Sequence, residues 1–217
     1  MVPLNNFEKT WGGGQTIGEK IKEVFKRKEP LRHKLVISHY KIKTMVSRLE
    51  VFLERLKGRD RSLFERVVNA LTMKDKTRAA MYANEIAEIR KLVRQLTFTQ
   101  VALEQVSLRI ETALIFGDVM NNLIPVLGVV KELGKVLRGI MPELSLELRE
   151  VEENLREIVI EAGEAIPGVG GEIYTSPEAR KILEEAQVIA EQRMKEKFPE
   201  LPAISAGVAE ETSSATS

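Results

Sequence analysis

Few side chains in this sequence are equipped for chemistry. There are two histidines, His33 and His39, and no cysteine. Six residues apart, the histidines fall on different faces of a helix and cannot converge on one metal ion. His39 lies on an apolar helical seam, where the expected role is that of a half-buried packing histidine. Disulfides and thiolate metal sites are excluded, and no Ser-His-Asp constellation can be assembled. The glycines of "WGGGQT" and "PGVGGE" lack the G-K-[ST] that follows in a phosphate loop, so they are expected to be flexible joints. Glutamates at helical spacing could bind a cation, but without histidines beside them they are expected to be solvated faces. The expectation is a protein that is not an enzyme and needs no cofactor and no metal.

Two other stretches carry a different chemistry, that of surfaces. In "QTIGEKIKEVFKRKEP", Ile17, Ile21, Val24 and Phe25 share one helix face, flanked by Lys20, Lys22, Lys26, Arg27 and Lys28. Such a segment can bury its apolar face in a lipid interface while its cations meet anionic headgroups. Ahead of it, Val2, Leu4, Phe7 and Trp11 sit in a short peptide bounded by glycines, and tryptophan favours membrane–water interfaces. These thirteen residues are the candidate membrane contacts; docking onto the chain's own helices is the other role open to them. Nucleic acid is not expected as a partner, because the cations alternate with an apolar face and do not line a stripe with stacking aromatics.

The second stretch is "MKEKFPELPAISAG", near the C-terminus. Pro199 and Pro202 stop the preceding helix and favour an extended chain. Phe198, Leu201 and Ile204 then act as apolar anchors, suited to a groove between helices of a partner or to a fold-back onto the chain's own core. Beyond them "SAGVAEETSSATS" is expected to be disordered.

The elements that must carry these stretches are helical. The chain has 217 residues, 30% charged and only 5% aromatic, a profile of elongated helical proteins. No β-alternation of useful length occurs. Leu35, His39, Ile42, Val46, Leu49, Leu53 and Leu56 step by four and three, as does the run Tyr82, Ile86, Ile89, Val93, Leu96. Gly58 suggests a cap and Ser62 with Glu65 a capping box, which places the turn of an antiparallel hairpin near residue 60 and makes its first arm about 35 Å long. After Leu96 the phase slips, then resumes at Leu103, Val106 and Ile110. Pro125 predicts a kink or break near Asn122. Pro142 can open a helix over 143–162 ending near Gly163, and Ser176 with Pro177 can open a last one reaching Lys197.

The fold class is therefore all-α: a long antiparallel hairpin with smaller C-terminal helices, elongated in shape. Residues 1–30 form the membrane-binding front, 31–165 the helical core, 166–197 a linker and helix, and 198–217 the docking motif and tail. No apolar run is long enough to span a bilayer and no signal peptide is evident, so a cytoplasmic location is expected. The net charge of +1 divides unevenly, at +8 over residues 1–61, +3 over 62–141 and −10 over 142–217. A basic front and an acidic back can attract each other within one chain or between neighbours.

Taken together, the basic hairpin, "DKTRAAMYANEIAEIRKLVRQL" and the acidic C-terminal half resemble the ESCRT-III family, most closely its archaeal CdvB-like cell-division branch, over about residues 15–204. The tail is similar to that family's proline motif, basic-x-x-Leu-Pro-x-Val-Pro, with Lys195, Phe198, Pro199, Leu201 and Pro202 in the matching places and Ile204 just beyond. Phe198 for Leu and Leu201 for Val are departures that keep apolar character. The resemblance implies a filament subunit that polymerises on anionic membrane with itself and with paralogous subunits. It further implies recruitment of an AAA ATPase through its MIT domain, constriction and scission during cytokinesis, and a place on the inner face of the cell membrane at the division site. No stretch after Lys197 could form the winged-helix element of a longer family member, so the chain looks like a shorter paralogue. A PspA-like membrane-stress scaffold and a soluble coiled-coil adaptor are the alternatives.

Overall fold

A computed structural model describes residues 30–163 and 176–199. They form five α-helices and, among the described residues, no strand: α1 (Leu31–Thr72), α2 (Lys76–Phe116), α3 (Val119–Arg138), α4 (Pro142–Gly163) and α5 (Pro177–Lys197). The all-α class read from the sequence holds, with the antiparallel α1–α2 hairpin as its frame. At 1.5 Å per residue the 42-residue α1 is about 63 Å long.

The hairpin turn is not where the local signals put it. α1 runs unbroken through Gly58 and Ser62, and the chain reverses only at Met73–Asp75. The apolar seam explains why. Leu63, Val67 and Ala70 continue the four-three stepping beyond Gly58 and are buried, Leu63 and Val67 in one cluster with Ile86, Ile89 and Val93 of α2. Burying a large apolar side chain gains about 1.5–3 kcal/mol, whereas one interior glycine costs about 1 kcal/mol. The turn is built by Lys74 in the left-handed region (φ 57) and by Asp75, whose carboxylate accepts from the Arg78 N–H at 3.0 Å.

The second correction concerns Pro125. The break comes earlier, at Gly117, which takes φ 73 and donates its N–H to Ala113 O; Asp118 then caps α3 by accepting from Asn121 N. Pro125 lies inside α3, which continues to Arg138. A proline there removes one backbone bond, and α3 offsets this by burying both flanks of its apolar surface, from Leu123 through Leu137.

The phase slip in α2 also finds its reason. Over residues 96–107 the buried positions widen to include Thr97, Thr99, Val101, Ala102 and Ser107, because α1, α3 and α5 all pack on α2. α4 begins at Pro142 and ends at Gly163, and Ser145 Oγ donates to Gly134 O at 2.9 Å across the α3–α4 turn. α5 is capped by Ser176, which accepts from Ala179 N, with Pro177 at its first position, as the sequence predicts.

Candidate functional site

Two contacts between distant parts of the chain stand out from ordinary packing. The first joins the basic front to the acidic back. Lys34, Lys41 and Arg48 recur every seven residues along α1 and meet Glu157, Glu150 and Glu147 of α4 at 2.8, 2.7 and 2.5 Å. Lys41 holds the Glu150 carboxyl below the usual carboxylate range. Their carboxylates are at least one-third exposed, so the row is a screened contact that salt weakens. Beneath it α4 buries Leu144, Leu148, Val151, Leu155, Ile158 and Val159.

The second contact lies where α5 ends on the hairpin. α5 faces inward with Ala179, Ile182, Ala186, Ala190 and Met194; three small residues in that stripe allow close approach. Arg193 reaches Glu104 of α2 at 3.2 Å, beside a groove of about 270 Å³ between α1, α2 and α5. The helix stops at Phe198, whose backbone is extended (φ −124, ψ 112) and whose N–H donates to Met194 O. Phe198 packs against the cluster formed by Leu63, Val67, Ile86, Ile89 and Val93 of the hairpin and Met194 of α5 itself.

Arg90 of α2 closes this site. Its Nε and Nη2 donate to the two carboxylate oxygens of Asp60 at 2.7 and 3.1 Å. Its Nη1 donates to the Pro199 carbonyl at 2.7 Å, and its guanidinium carbon stands 5.6 Å from the centre of the Phe198 ring. Asp60 is 3% exposed, and a carboxylate so placed requires a well-matched cation.

Of the proposed docking residues, the structure brings Phe198 and Pro199 onto the hairpin and leaves Lys195 on the solvent side of α5. Leu201, Pro202 and Ile204 lie outside the described residues, as do all thirteen candidate membrane contacts from Val2 to Lys28. Asp60 and Arg90 were missed by sequence reasoning, although a signal existed. Leu49, Leu53, Leu56, Asp60, Leu63, Val67 and Ala70 step by four and three throughout, and the one charge on that seam is Asp60.

His39 also bridges the hairpin, its Nε2 lying 3.0 Å from Ser107 Oγ of α2. Burial and the nearby Lys43 push its pKa below the ordinary histidine value, with Glu111 opposing. Among the described residues no group of three His, Cys, Asp or Glu could hold a metal ion, and no helix is long and apolar enough to cross a membrane.

The chain is 56% identical over 209 residues to Cell division protein B1 of Sulfolobus acidocaldarius, covering 96% of this chain and 94% of that protein. It is 34% identical over 177 residues to Cell division protein B of the same organism, covering 82% and 68%. A third relative, Cell division protein B3, is 30% identical over 117 residues, covering 54% and 68%. No protein-family model matches the chain. No solved structure matches it.

Proposed function

The chain belongs to the CdvB-like family of archaeal cell division proteins, and from that premise we propose that it is an ESCRT-III-like filament subunit acting on membrane. The observation that carries this reading is the α1–α4 row, Lys34–Glu157, Lys41–Glu150 and Arg48–Glu147. Three ion pairs hold the acidic helix against the basic one, and the two in which both partners reach solvent, Lys41–Glu150 and Arg48–Glu147, are weak enough to be exchanged. An anionic surface, or the acidic helix of a neighbouring copy, offers the same charge to the same cations. A subunit of this kind closes on itself when alone and opens where a better anion is available.

In this reading the amphipathic front, with Ile17, Ile21, Val24 and Phe25 inserted and Lys20, Lys22, Lys26, Arg27 and Lys28 at the headgroups, anchors the protein to the inner face of the cell membrane at the division site. It then polymerises with itself and with paralogous subunits, and constriction follows. The tail motif around Phe198–Pro202 engages the MIT domain of an AAA ATPase, which remodels the polymer. The protein itself catalyses no reaction.

The test is co-sedimentation with anionic and neutral vesicles, followed by negative-stain microscopy, for the full chain and for one lacking residues 1–28. The expected result is pelleting and coating with anionic vesicles only, lost on truncation while helicity is retained. Binding unchanged by the truncation refutes the anchor. A chain that stays soluble and unassembled with both vesicle types refutes the filament.

A further inference from the structure

We propose that the open end of the hairpin carries, on a side that α3 and α4 leave bare, a docking face for the chain's own amphipathic front, and that without membrane Ile17, Ile21, Val24 and Phe25 are covered there. This rests on the membrane reading above only for the competitor, a lipid surface; the docking itself is tested without lipid.

The face is built by the start of α1 and the end of α2, which the antiparallel register brings side by side at His39 and Ser107. Val36 and Tyr40 on α1 are 48 and 72% exposed, and Leu108 and Ile115 on α2 are 63 and 67% exposed. Helical spacing sets them on one side. The row Lys34, Lys41 and Arg48 turns one flank of α1 to α4. Val36, Tyr40 and Lys43, stepping by four and three, occupy another. On α2, Leu108, Glu111 and Ile115 step by three and four. Lys43 and Glu111 both act on the His39 charge, which sets the two flanks beside each other. The end of α5 leaves them bare, since it meets Glu104 through Arg193 and runs on towards Leu63 and Val67.

What covers such a face is argued from where the chain continues. Residues 1–29 lie outside the described residues and join α1 at Pro30, at the foot of this face. Their apolar positions Ile17, Ile21, Val24 and Phe25 have the spacing that packs on a helix pair. A helix over 17–28 would be about 18 Å long, enough to cover the span of about 10 Å from Leu108 to Ile115. Glu29 and Pro30 would then reverse the chain, a connection short enough to make antiparallel neighbours. Charge fits as well. Lys43 and Glu111 offset one another, so the face is apolar without net charge, and Lys20, Lys22, Lys26, Arg27 and Lys28 stay at its edges in water. A lipid surface offers an apolar interior and anions together, and so outcompetes the face. Docking keeps the front covered in solution and yields it to membrane.

The experiment uses the full chain and the double variant Leu108→Gln with Ile115→Gln, whose changes fall on exposed positions and add no charge. Hydrogen exchange is followed without vesicles, and binding to anionic vesicles is then titrated. In the full chain the amides of residues 17–28 should be protected. In the variant they should exchange about tenfold faster or more, with α3 and α4 unchanged. The variant should also bind anionic vesicles about threefold more tightly, because no docked form competes. Front amides that exchange unprotected in the full chain overturn the proposal, as does protection that the variant keeps. Protection that falls on dilution assigns the face to a second copy, and loss over 164–175 in place of 17–28 assigns it to that segment; either overturns the occupant. A released front with unchanged vesicle affinity overturns the competition. A released front with no vesicle binding by either protein upholds the docking and refutes the membrane anchor.

Discussion

The Nζ of Lys41 on α1 lies 2.7 Å from Oε2 of Glu150 on α4, and this pair sits at the middle of the row that ties the basic and acidic parts of the chain together. One turn pair to either side repeats it, so the joint between α1 and α4 has an electrostatic outer edge over an apolar interior.

Charge reversal at that edge should loosen α4 without unfolding it. Glu150→Lys is expected to raise hydrogen exchange in α4 about threefold at low salt, an effect that shrinks at high salt. Adding Lys41→Glu should restore protection. Failure of the second change to rescue the first would mean that the pair does not hold α4.

Acid should act on the same edge. Glu150 has a native pKa below its unfolded value, so its contribution is present above the unfolded pKa and is lost as pH falls through the depressed native value. Thermal melts of the full chain and of Glu150→Gln should therefore converge below that window and separate above it.

His39 imposes a second pH dependence, at milder acidity. Its native pKa is depressed, so the unfolded chain binds the proton more readily. The stability this contributes is complete above the unfolded histidine value, about 6.5, and is lost as pH falls from there towards the native value. In His39→Gln the fall in melting temperature over that range should be shallower. An identical slope in both proteins would remove His39 from the account.

Gly58 offers a test of the long first arm. A Cβ built there meets nothing within 4 Å, and the backbone is helical. Gly58→Ala should stabilise the chain by about 0.5–1 kcal/mol, measured by denaturant unfolding. Were the hairpin turn at this glycine, the same change would be destabilising. Gly117→Ala should do the opposite, because φ 73 is strained for any residue with a Cβ.

Much of the fold was legible because its signals are local. Pro142, Ser176 and Pro177 mark helix starts through their own backbone chemistry, and the structure places the starts there. The seam of α1 was equally legible, but its end was not. Gly58 and the Ser62–Glu65 box carry a local preference that burial of Leu63 and Val67 against the other arm overrides, and only tertiary contact decides between them. Pro125 does not break its helix, for the same reason. At the candidate site, Phe198 announced itself as an anchor and Pro199 as a helix stop, with a partner's groove and the chain's own core both open as the receiving surface. Asp60 announced a need for a partner by standing on an apolar seam, yet nothing in the spacing pointed to Arg90, thirty residues on in the facing arm. The charge asymmetry allowed attraction between front and back, within one chain or between neighbours, and the heptad row on α1 supplies the register within the chain.

The measurement closest to the central claim is hydrogen exchange of the full chain with and without anionic vesicles, read along α4. Vesicles should raise exchange in α4 while the α1–α2 hairpin stays protected, since the surface takes over the cations that Glu147, Glu150 and Glu157 now occupy. A chain that binds the vesicles with α4 as protected as in solution would contradict this.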